Sequence, residues 1–288
     1  MNVKNRSGRT ANRDPIVAPR EQLLETPRLR FAWTEFPGRL PSIVFIHPNR
    51  TSPRVWDHVI DASTRPERMV TPALRGHGGS AWPNAGYTLE DHRDDLIAFI
   101  DASCEGPVIL CGQATGATLA LMIATQLGSQ RVRAVIAAQP AVAIPSAIND
   151  LVQTQVIAQE RLASRSAARA ALPFASLWSE AVTEHYLEHM LLETAEGGFR
   201  WRYHAEGVRA TEAQLLRPLD REIAWSGPTL IIGSTESTVL SPESIRALAS
   251  RLPDARLEWL PRSNHRLCQD NPEGFARLLD DYLSLQLA

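Results

Sequence analysis

With 288 residues, 44% of them hydrophobic, the chain can bury one large core, and its 30 basic against 32 acidic residues leave a net charge of −2. That balance provides no field to draw nucleic acid or an anionic membrane, so neither partner is expected. Cys104, Cys111 and Cys268 are too few and too widely spaced for a disulfide framework or a paired zinc site. With no apolar run of about 18 residues and a polar start, the expectation is a cytoplasmic protein that takes a small molecule, needs no cofactor or metal, and is compatible with a homodimer.

Residues 1–21 carry Lys4, Arg6, Arg9, Arg13 and Arg20 against Asp14 and Glu21, with almost nothing apolar to bury, which is the composition of a mobile tail. A basic arm for nucleic acid would need aromatic residues and a recognition fold behind it. Residues 29–35 and 42–46 read as strands, and Pro37-Gly38 between them predicts a hairpin. A third strand at 69–73 runs into Arg75-Gly76-His77-Gly78-Gly79-Ser80, a turn composition. Thr88 then caps a helix, with Asp91 at the capping-box position and Leu96, Ile97 and Ile100 on the core face.

Residues 108–111 are a short apolar run suited to a buried strand, and 115–127 are helix formers without an internal breaker. Gly112 and Gly116 flank the turn between them, as a sharp strand-to-helix corner requires where backbones pass too close for a side chain. Another buried strand follows at 132–138. Strand and helix in alternation demand a parallel sheet with right-handed crossovers. From 144 to 222 the pattern is helical, interrupted at Pro173 and Gly197-Gly198, with no strand of the main sheet. The sheet resumes at 229–233. Ser241 and Pro242 open a helix over 242–252, a last strand covers 255–260, and Asn271-Pro272-Glu273 begins the closing helix.

Gly112-Gln113-Ala114-Thr115-Gly116 resembles the nucleophile elbow of the α/β-hydrolase family, Gly-x-nucleophile-x-Gly. The Arg-Gly-His-Gly-x-Ser turn, the strand ending in Phe45-Ile46-His47-Pro48-Asn49-Arg50 and the loop Pro261-Arg262-Ser263-Asn264-His265 resemble the same family. The resemblance implies an α/β-hydrolase fold: a mostly parallel central sheet flanked by helices. Its core would be residues 22–143 and 223–288, with a helical cap, 144–222, inserted over the site. Cap residues Phe174, Leu177, Trp178, Tyr186, Met190, Phe199, Trp201 and Tyr203 would supply subdomain core and, in a minority, pocket lining.

A triad needs a nucleophile, an imidazole and an orienting carboxylate. By resemblance these positions are Ala114, His265 and Glu236, although an alternative register puts Thr238 at the acid position. The oxyanion donors implied are the backbone N–H groups of Thr115 and Asn49, because Pro48 stands where the family has glycine and has no N–H. His47 itself is expected to pack and hydrogen-bond beneath the loop. A methyl group cannot attack a carbonyl, so Ala114 either replaces a serine or marks a natural loss of the nucleophile.

The activity implied is hydrolysis of an ester, lactone or carbon–carbon bond of a small organic substrate. The alternatives are a cofactor-independent, dioxygenase- or lyase-like reaction with His265 as general base, or a non-catalytic ligand binder. In any catalytic version His265 is expected to titrate near neutrality. One rival motif remains: His185-Tyr186-Leu187-Glu188-His189 matches His-x-x-Glu-His, with two imidazoles at i and i+4 on one helix face. No third ligand is visible downstream, so the sequence assigns no metal and reads a solvated cap helix.

Overall fold

The computed structural model describes residues 21–142, 144, 150, 161–172, 175–217, 219 and 222–287; the predicted tail up to residue 20 and the cap residues Pro173 and Phe174 lie outside them. Ten strands are found among the described residues: β1 Glu21–Glu25, β2 Arg30–Phe36, β3 Arg39–Ile46, β4 Glu67–Pro72, β5 Val108–Gln113, β6 Val132–Ala138, β7 Leu191–Glu193, β8 Phe199–Trp201, β9 Thr229–Gly233 and β10 Ala255–Trp259. Eight of them form one sheet in the order β1-β2-β4-β3-β5-β6-β9-β10. β1 and β2 run antiparallel to their neighbours, and every pairing from β4 onward is parallel.

Strand periodicity explains how both faces of the sheet are covered. Val44 and Ile46 of β3 and Val108 and Leu110 of β5 point into one core, shared with helices α2 Leu89–Ser103 and α3 Thr115–Arg131 through Leu96, Phe99, Ala120 and Met122. Ile43, Phe45, Ile109 and Cys111 point the other way, onto α1 Asp57–Ala62 and the closing helix through Val59, Phe275 and Leu279. Thr88 makes the expected capping box with Asp91, its hydroxyl accepting the Asp91 N–H at 3.0 Å while the Asp91 carboxylate accepts the Thr88 N–H. Among the described residues no helix is long and apolar enough to cross a membrane.

One expectation fails and another is refined. The predicted hairpin is absent, because β4 lies between β2 and β3 and pairs with both. Pro37-Gly38 marks instead a close backbone crossing: a Cβ on Gly38 would lie 2.3 Å from the Glu67 carbonyl carbon, and the Arg39 N–H donates to Pro66. The segment between β6 and β9 also holds more than helices. Besides α4 Arg165–Ala170, α5 Glu180–Met190 and α6 Ala205–Gln214 it carries an antiparallel pair, β7 and β8, on either side of Gly197 and Gly198, both at φ 83°. Only glycine adopts that backbone freely, so the predicted helix break is a strand reversal.

This segment is fastened to the sheet's loops at several points. His77 and Tyr203 form an isolated antiparallel bridge, and the Gly78 N–H donates to Arg202 while the His204 N–H donates to Gly76. The Arg-Gly-His-Gly-x-Ser turn therefore joins the two parts of the chain.

Candidate active site

Ala114 is the corner between β5 and α3, with φ 49° and ψ −119°. For a residue with a Cβ this conformation costs on the order of 1–3 kcal/mol and persists only where the surroundings hold it. They do. The Ala114 N–H donates to Ala138 at 2.9 Å, and its carbonyl accepts from Ala117 and Thr118 at 3.0 and 3.1 Å. Cβ atoms on Gly112 or Gly116 would sit 2.2 Å from the carbonyl oxygens of Gly116 and Ile46 respectively, so the corner closes only with glycine at both positions. Gln113 ties it to the histidine loop, its Oε1 accepting the Cys268 N–H at 2.9 Å.

The loop after β3 is propped from below by His47, as the sequence suggests. Its Nε2 accepts the Leu74 N–H at 3.0 Å, which leaves the proton on Nδ1 to be donated to Pro48 O at 2.9 Å. Burial and the neighbouring His77 keep this imidazole neutral, well below the usual histidine range. Above it, Asn49 and Arg50 turn into a solvent-open cleft lined also by Gln113, Ala114, Thr115 and His265. Four of the residues singled out by resemblance, Asn49, Ala114, Thr115 and His265, thus face one space.

The acid position does not join them. Glu236 is exposed, turned outward by a local turn in which Ser234 Oγ accepts the Glu236 N–H at 3.0 Å, and its carboxylate makes no ion pair with any described residue. Thr238 is the position that meets the histidine loop, its N–H donating to Asn264 Oδ1 at 3.1 Å, and it has no carboxylate to offer. Asp270 holds that loop from the other side. It accepts the Asn264 N–H at 2.7 Å and the Trp178 indole N–H at 3.0 Å, and burial pushes its carboxyl up to about 6 despite these bonds.

Three charged residues that no motif marks, Arg50, Glu212 and Arg266, also line the cleft. Arg50 pairs with Glu212 at 2.5 Å, and burial raises the Glu212 carboxyl although Arg50 and Asn49 favour its charged form. Arg266 is 8% exposed, lies over the rings of Trp178 and Tyr186 at 5.6 and 5.7 Å, and has no carboxylate in ion-pair contact among the described residues. Desolvation, then Arg266, then Arg50, push His265 down to about 3. The expected titration near neutrality is therefore corrected: two guanidiniums beside a desolvated ring oppose its protonation. Adjacency was the available signal, since Arg50 follows Asn49 and Arg266 follows His265 directly.

Known proteins resemble the chain along most of its length. It is 26% identical over 267 residues to the sn-1-specific diacylglycerol lipase ABHD11 of Mus musculus, covering 85% of this chain and 81% of that protein. It is 23% identical over 254 residues to the 2-(acetamidomethylene)succinate hydrolase of Mesorhizobium japonicum, covering 85% and 89%. The crystal structure of an E-2-(acetamidomethylene)succinate hydrolase superposes with a TM-score of 0.83 at 21% identity, over 92% of this chain and 99% of that one. A sequence profile described as the alpha/beta hydrolase family matches residues 43–278, and with the elbow, sheet order and histidine loop already in place, the chain belongs to that family.

Proposed function

We propose that this protein is a hydrolase of a small organic carboxylate, whose anionic group is held by Arg266 and Arg50 while an ester, lactone or amide carbonyl lies over Ala114. The observation that carries the reading is the buried Arg266 guanidinium, which lines the cleft with no carboxylate in direct ion-pair contact among the described residues, Asp270 acting on it only from farther off. Taking such a group out of water costs several kcal/mol, and an anionic ligand offsets that cost. The name of one relative, a hydrolase of a substituted succinate, agrees in charge. Residues 144–222 act as the cap that selects the substrate, with Trp178 and Tyr186 backing the arginine.

Chemistry at this centre runs without a covalent acyl intermediate, because residue 114 ends in a methyl group. Neutral His265 takes a proton from water as the water attacks the carbonyl, and the N–H groups of Asn49 and Thr115 stabilise the oxyanion. Collapse of the oxyanion breaks the bond to the leaving alkoxide or amine, which takes the proton back from the imidazolium. Glu236 takes no part. A second reading, a ligand binder without turnover, is favoured by the methyl group at 114 and by the outward Glu236.

Calorimetric titration with succinate, together with turnover on a panel of carboxylate-bearing esters, lactones and amides, separates the readings. Succinate binding that weakens at least about tenfold in Arg266→Gln, with turnover lost in His265→Ala, is the expected result. Binding without turnover on any member leaves the binder. If neither succinate nor any panel member binds, both fail.

A further inference from the structure

The His-x-x-Glu-His segment is not the solvated helix face expected. In α5 the imidazoles of His185 and His189 share one side, with ring centroids 4.5 Å apart, and that side packs against the short 3-10 turn Pro53–Trp56 and the start of α1. His185 Nε2 lies 3.1 Å from Asp57 Oδ2 and 3.1 Å from the Arg54 carbonyl oxygen. The His58 ring stands 4.9 Å from that of His185. Potential ligand atoms of Asp57, His185 and His189 all lie within 4.8 Å of one another. The third ligand that the sequence lacked downstream is therefore supplied upstream, from the opposite wall.

We propose that Asp57, His185 and His189, with His58 as the fourth candidate, bind one divalent first-row transition ion between α5 and α1. The donors are imidazole nitrogens and one carboxylate, a set suited to zinc, cobalt, nickel or copper rather than to magnesium or calcium. Two further observations point the same way. Asp57 Oδ1 and His58 Nε2 are both buried without a hydrogen-bond partner, a desolvation cost that a metal bond would recover. A four-coordinate ion with bonds of about 2.0–2.2 Å holds its ligand atoms roughly 3.3 Å apart, so side-chain rotation must draw the set inward. Arg54, 2.6 Å from Asp57 Oδ2, is the cation the metal must displace.

Occupation of the site would pin α5 to α1. The Tyr186 hydroxyl, on the same helix, donates to Arg50 O at 3.2 Å and accepts from Arg266 Nη1 at 3.4 Å, so the metal would stiffen a support of both cleft arginines. This inference does not depend on what the cleft hydrolyses.

The test titrates the chelator-treated full chain with Co²⁺ alone, read by its visible absorption, and then with Zn²⁺ as competitor. Expected are one ion per chain, displacement of Co²⁺ by Zn²⁺, and a midpoint of thermal unfolding raised by both. His189 is only half-buried, so His189→Ala should remain folded and weaken binding at least about tenfold, the size expected from loss of a ligand or its close support. Arg54→Met should tighten binding several-fold, a change that adsorption to surface histidines would not produce. Absence of saturable binding in the unmodified chain, or affinity unaltered in both variants, would overturn the proposal.

Discussion

Burial first, and then the two neighbouring arginines, set the chemistry of His265. Held down to about 3, its imidazole is the neutral, single-proton form across the physiological range, so a His265-dependent rate should be level from about pH 5 to 8. The sign follows from charge: an anion seated on Arg266 and Arg50 cancels the repulsion and raises the value. Imidazole NMR titration with and without succinate measures both, and an ascending limb centred near 6.5 in the free protein would contradict the assignment. At the neighbouring position, Ala114→Ser should raise turnover on activated carboxylate esters by two or more orders of magnitude, with an acyl burst in stopped flow. A folded serine variant without a burst would show that the elbow no longer presents its side chain to substrate.

Elements were legible where the signal is local. Strands β5, β6 and β9 are apolar runs closed by turn residues, and Thr88 and Ser241 stand as caps because a side-chain oxygen three residues before a free N–H needs no distant information. Pairing was not legible, since Pro37-Gly38 turns the chain whether the next strand lies beside β2 or one strand away. The energetics of these elements are testable. Thr88→Ala should cost about 1 kcal/mol in denaturant unfolding. Gly116→Ala forces a Cβ to 2.2 Å from the Ile46 carbonyl oxygen and should cost about 1–3 kcal/mol or prevent folding; a loss no larger than that of Thr88→Ala would mean that the β3–α3 approach relaxes freely.

Across the whole molecule, the site is assembled by contacts that no single element specifies. Arg266, Glu212 and Asp57 look like ordinary surface charges in sequence, and only the tertiary fold buries them. Glu236 and Thr238 differ by two positions, yet the turn at Ser234 sends one outward and sets the other against Asn264. Asp270 joins the histidine loop to Trp178 of the inserted segment, and its raised carboxyl ties that junction to pH. Its value in the folded chain, about 6, exceeds the ordinary 3.8, so the folded state holds the proton more tightly. Its contribution is therefore present at low pH and declines as pH rises from about 4 to 6. Unfolding free energies of Asp270→Asn and the unmodified chain, compared through that window, should shift in favour of the variant; parallel curves would sink the assignment.

The backbone of Ala114 keeps its strained corner although no side-chain nucleophile uses it. The glycines, carbonyl partners and crossing strand that enforce the corner are spread over residues 46–138, and none of them involves the missing hydroxyl. In the genetic code, alanine (GCN) and four of the serine triplets (TCN) differ at the first base alone. A serine codon at 114 is thus one transversion away, and the corner that would carry its side chain rests on backbone contacts that the exchange leaves in place.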